Sequence, residues 1–145
     1  MILLRALAFL MLTALPAQAW QAGVEGSLCT LTHSEPGLDI RLTYDPVLPE
    51  YTITLTLEQP WPDGPVFGIR FEGASPNTIT TGNHQLSDDR RALTVTDRGF
   101  GNVLNGLAEN ETATAFTAPV GARFGLDGAA PEVAVFRACV IVPSA

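Results

Sequence analysis

In TDRGFGNVLNGLAEN, running from Thr96 to Asn110, glycines stand at 99, 101 and 106. Among all residues of the chain, these come nearest to a chemically useful spacing. A glycine-rich loop opening a helix holds phosphate on main-chain N–H groups, and both standard forms demand fixed spacing. The dinucleotide form needs GxGxxG, and the third glycine is missing. The mononucleotide form needs GxxxxGK followed by Ser or Thr. Gly101 and Gly106 keep that gap, but Leu107 and Ala108 stand where the cation and the hydroxyl belong. A nucleotide reading would survive only if Gly99 and Gly101 lined an open cleft. The stretch reads better as structure: Phe100, Val103, Leu104 and Leu107 recur at helical spacing, with Asp97 the expected N-cap.

The remaining chemical residues are scattered. The two histidines, His33 and His84, are far apart, whereas a zinc site needs three or four converging ligands. Both are expected at the surface, at strand ends. SDDRR at 87–91 has no calcium-loop spacing and reads as a solvated turn. No GxSxG elbow or HExxH helix occurs, and none of Ser27, Ser34, Ser75, Ser87 and Ser144 sits in a nucleophile context. A triad or carboxylate pair assembled from distant residues stays open, because such sites are not local in sequence. Trp61, between two prolines in PWPDGP, is the candidate partner-binding residue, since Trp anchors interfaces and stacks on sugars. The alternative is that it plugs an open end of the fold. No residue is assigned to catalysis, a metal or a cofactor.

The elements that would position these residues are mostly strands. LDIRLTY and YTITLTLE alternate apolar and polar residues with period two, and DPVLPE between them is a turn, predicting an antiparallel pair. VFGIRFEG and RALTVTD continue the pattern. SLCTLTH, TATAFTA and ARFGLDG are weaker strands, and EQPWPDGP, GASPN, TTGN and SDDRR separate the runs. Two segments break it: the glycine stretch, and GAAPEVAVFRAC, where Ala129, Val133, Phe136 and Val140 suit one side of a helix capped by Asp127. In that second segment Val133, Val135 and Arg137 also suit a strand. The expectation is a mostly β chain: a single antiparallel β-sandwich or small barrel with one or two short helices, about 99–108 and 129–138.

The ends and the composition bound the setting. MILLRALAFLMLTALPAQA has a charged start, an apolar run and small residues before a cut after Ala19, the pattern of a secretory signal peptide over 1–19. Residues 20–145 then form one domain, with no later run long enough to span a bilayer. Export implies an oxidising compartment, periplasmic or secreted. There Cys29 and Cys139, the two cysteines of the chain, are expected to pair. Closing a loop of that size is worth about 4–5 kcal/mol in the chain-entropy model. The chain carries eight Lys plus Arg, all of them Arg, against fifteen Asp plus Glu, for a net charge of −7. Without a basic cluster, nucleic-acid binding lacks its main source of affinity.

SLCTLTH, YTITLTLEQPWPDGPVFGIRFEG, LTVTDRGFGNVLNGL and GAAPEVAVFRAC together resemble a set of small exported proteins of Gram-negative bacteria, over most of the chain after the leader. Some of these carry the label of an excinuclease ABC component. An exported acidic domain without a phosphate-binding lysine cannot be part of a DNA-repair helicase. A weaker resemblance, through size and disulfide, is to the invasion-associated-locus-B type of secreted β domain. The resemblance implies export and no functional residues, and in a chain of this bacterial type the NET sequon at 110–112 is discounted. Two functions remain: a non-enzymatic envelope domain that binds a protein or glycan, and a small periplasmic hydrolase with a non-local site. A pocket gathering His33 or His84 with acids would favour the hydrolase, and a flat apolar patch around Trp61 would favour binding.

Overall fold

A computed structural model describes residues 19–118 and 120–139. The expected leader (1–19) lies outside these apart from Ala19, as does Val140. Among the described residues, ten strands and two helices follow one another as β1 (Gln21–Glu25), β2 (Leu28–Glu35), β3 (Leu38–Asp45), β4 (Glu50–Leu57), β5 (Phe67–Gly73), β6 (Asn77–Thr81), β7 (His84–Leu86), β8 (Ala92–Asp97), α1 (Gly101–Glu109), β9 (Asn110–Thr117), β10 (Val120–Gly125) and α2 (Ala129–Arg137). They form two antiparallel sheets. Sheet A has six strands in the order β1-β2-β3-β4-β8-β7, and sheet B has four in the order β10-β9-β5-β6. The sheets pack face to face without closing into a barrel, so the sandwich expectation holds.

Alternation sets the faces. In sheet A, Leu31, Ile40, Leu42, Ile53, Leu55 and Leu93 are buried, as Phe67, Ile69, Phe71, Ala113, Ala115 and Phe124 are in sheet B. The outer face of sheet A is threonine-rich. The register brings Thr30, Thr43, Thr52 and Thr96 into one rank across four strands. Thr54 and Thr94 meet in the next rank, and their hydroxyls lie 3.0 Å apart. A β-branched side chain with a hydroxyl suits such a half-exposed face, bonding its cross-strand neighbour while its methyl packs. Turns follow the residues that permit them: Gly37, between β2 and β3, sits at φ 82°, where a side chain would be strained.

The two helices pack on each other, α1 also against β5, β6 and β9 of sheet B and α2 against β1 and β2 of sheet A. α1 buries Leu104, Gly106 and Leu107, and α2 buries Ala129, Val133 and Phe136. Segment 129–137 is thus helix rather than strand. Gly106 allows α1 to approach sheet B, since a Cβ there would fall 2.4 Å from the ring of Phe71, which is fully buried. Neither expected cap forms. The N-cap of α1 is Phe100, because Asp97 still belongs to β8 and accepts from the N–H of Arg98 instead. The N-cap of α2 is Gly128, at φ 78°. Cys29 and Cys139 are joined, with Cα atoms 6.2 Å apart, fastening the chain just after α2 to β2. No helix among the described residues is long and apolar enough to cross a membrane.

Candidate functional site

A sandwich has two lateral seams, where the edges of its two sheets face each other. The seam between β1/β2 and β10 is stitched shut. Trp20 is buried, its ring stacks on His33 with centroids 4.5 Å apart, and its Nε1–H donates to the carbonyl of Gly125 at 3.0 Å. The Glu35 carboxylate accepts from the Gly125 N–H and from His33 Nε2, both at 2.8 Å. On the same side, the Ala22 N–H donates to Glu132 of α2 at 3.0 Å, covering the edge of β1.

The opposite seam is open. Chain crossing from β6 to β7 through Gly82 and Asn83 closes its top, and below that lies a cleft of about 550 Å³. Ile53, Phe67 and Ile69 form the floor, with Ile79 on the β6 wall and Val95 on the β8 wall. The lower end is the start of α1, where Phe100 and Val103 add apolar surface. Polar residues complete the lining, Thr80, Thr81 and Asn83 on one side and Thr96, Asp97 and Asn102 on the other, although the side chain of Thr96 belongs to the outer-face rank of sheet A. Asp97 supplies the only ionisable side chain of the lining among the described residues. Concave shape, apolar floor and a few polar groups at the rim are the marks of a binding site.

Gly99 and Gly101 do line this cleft, and a Cβ at either would meet nothing within 4 Å. The geometric condition for a phosphate site is therefore met, but its chemistry is not. The described lining holds a carboxylate and no cation, so a phosphate would meet repulsion without a counter-charge. An uncharged, apolar occupant fits the floor.

The other sequence candidates lie elsewhere. Trp61 is 1% exposed, donates its Nε1–H to the carbonyl of Leu55 at 3.1 Å and meets Phe67 edge-on. It fills the core between the sheets, and a partner arriving at the surface does not reach its ring. His33 is not the surface residue expected. It shares the inward face of β2 with Cys29 and Leu31, and its Nδ1 is buried without a hydrogen-bond partner. His84 is half-buried at the start of β7, tilted against Phe67.

Ser34 donates to Asp39 at 2.5 Å, but on the face of β2 opposite His33, so those two form no nucleophile–base pair. The SDDRR segment is a closed turn. The Ser87 hydroxyl, then the Arg91 main chain, hold the Asp89 carboxyl below its ordinary range. Asn110 of the NET sequon uses its side chain to accept from Ser75 and donate to Gly106. Among the described residues no group of three or more His, Cys, Asp or Glu could hold a metal ion.

No protein-family model, curated protein or solved structure matches this chain. The sequence signals closest to the cleft were the apolar stripe Phe100, Val103 and its flanking glycines. They were legible as a helix but not as the end wall of a cavity, which exists only once sheet B is placed.

Proposed function

We propose that this chain is a non-enzymatic binding domain of the cell envelope, periplasmic or secreted, that takes an apolar part of an envelope protein into the cleft between β6 and β8. The observation that carries the reading is the half-buried apolar surface of Ile79, Val95 and Val103, which faces a cleft whose floor, Ile53, Phe67 and Ile69, is already core. Of the two partner classes expected from the sequence, a glycan presents hydroxyls on nearly every carbon and matches that floor poorly. A hydrolase has less support, because the lining includes neither His33 nor His84 beside Asp97. Export is supported by the signal-like leader, by the paired cysteines and by the resemblance to small exported proteins of Gram-negative bacteria.

The test uses a neutral apolar fluorophore, phenylnaphthylamine, which brightens on entering an apolar site. It should bind the wild-type domain and lose most of its signal with Val103→Glu, which places a carboxylate at the apolar end wall. No brightening with folded wild-type protein would overturn the proposal.

A further inference from the structure

Four strand edges end the two sheets, and they are not treated alike. β1 is covered by Glu132 of α2. β10 carries Arg123 and lies on the stitched seam. β7 is three residues long. β6, with the sequence NTITT, has no charge, no proline and no bulge against β5, and nothing among the described residues pairs its far side. Natural sheets normally blunt such an edge, since its free main-chain groups are a template for another strand.

Hydrogen-bond parity shows which groups are free. The Leu126 N–H donates to Glu111 O, so odd-numbered residues of β9 bond toward β10 and even-numbered ones toward β5. In the β5–β9 register, Gly68 and Arg70 then bond toward β9, leaving Phe67, Ile69 and Phe71 to bond Thr81, Ile79 and Asn77 of β6. The N–H and C=O groups of Thr78 and Thr80 therefore point outward. Consistent with this, the Thr78 N–H is bonded only to the neighbouring Asn77 side chain, at 2.9 Å.

A strand added here would extend sheet B over the cleft. Every second side chain would then drop between the sheets, onto Ile79, Val95 and Val103. Resting on the reading of the cleft as a binding site, we infer that the partner is an extended polypeptide segment that adds to β6 as a strand, with alternate apolar side chains, none of them acidic, filling the cleft. An alkyl chain would leave the Thr80 N–H and C=O and the Thr78 C=O unused, the Thr78 N–H being held by Asn77. A second copy pairing through its own β6 would offer Ile79 as its single apolar side chain on the inner face, too little for a cleft of about 550 Å³. Asp97 in the lining and the net charge of −7 disfavour acidic segments.

The experiment measures binding of a panel of short peptides that alternate threonine with valine or leucine and carry arginine at both ends, each also tested for displacement of phenylnaphthylamine. Each peptide is made in two N-methylated forms, blocking one or the other set of alternate amides. The expected result is binding with displacement of the fluorophore, weakened about tenfold or more by one methylation pattern and little by the other. Thr80→Pro, which removes one outward N–H, should weaken binding similarly, and the methylated peptides decide the matter without altering the protein should that variant misfold. Equal binding of both methylated forms would overturn strand addition. A fluorophore that binds while no peptide does would overturn it too and leave the cleft reading standing. Binding of neither would overturn both. Sedimentation of the wild type as a dimer that Thr80→Pro dissociates would make β6 an interface between copies and overturn the foreign strand.

Discussion

The two seams of this sandwich are built from the same kind of strand and end differently. On one side Trp20, His33, Glu35 and Gly125 form a continuous chain of stacking and hydrogen bonds between the sheets, with the Cys29–Cys139 link close behind. On the other side Ile79, Val95 and Val103 face a cleft, and the edge of β6 keeps its outward main-chain groups. Buried polar groups are tolerated in the first seam because nearly all are paired, His33 Nδ1 being an exception. In the second, apolar side chains such as Ile79, Val95 and Val103 stay only half-buried. A small domain can hold such an open side if contacts elsewhere carry its stability, and the stitched seam supplies several of them.

That contrast can be broken first at the disulfide. Reduction should cost about 4–5 kcal/mol, because the link closes nearly the whole described domain into one loop. Urea denaturation with and without reductant reads this directly. Trp20→Ala should cost about 3–4 kcal/mol, by emptying the buried site between His33 and Phe124. Glu35→Ala leaves His33 Nε2 and the Gly125 N–H without their acceptor and should cost about 2 kcal/mol. On the open side Ile79→Ala, at a half-buried wall position, should cost about 1 kcal/mol in the same assay while weakening ligand binding. If Ile79→Ala destabilised the domain as much as Trp20→Ala does, the open seam would be core, and the comparison would fail.

Much of this architecture could be read from residue order alone. The alternation in LDIRLTY and YTITLTLE predicted β3, β4 and their antiparallel pairing through DPVLPE, and Cys29 and Cys139 could be paired from their setting. The short edge strands could not. NTITT and HQL follow turn-type residues and bury little, so β6 and β7 exist only because β5 and β8 offer them edges. His33 was readable in principle. Cys29, Leu31 and His33 alternate in SLCTLTH, and period two places all three inward. Its unlike chemistry hid that parity, just as the prolines around Trp61 suggested an exposed loop for a ring that is buried beneath one. The cleft had no local signature, because Ile53, Ile79, Val95 and Val103 come from four elements that meet only after the sheets pack.

In the proposed reading the β6/β8 seam, and not the Trp20 seam, receives a ligand. Two-dimensional amide NMR of the domain titrated with phenylnaphthylamine tests it most directly. Shift changes should concentrate at Ile79, Thr80, Val95 and Asn102–Val103, with Trp20, His33 and Gly125 unmoved. Changes centred on Trp20 and Gly125, or none anywhere at saturating fluorophore, would contradict it.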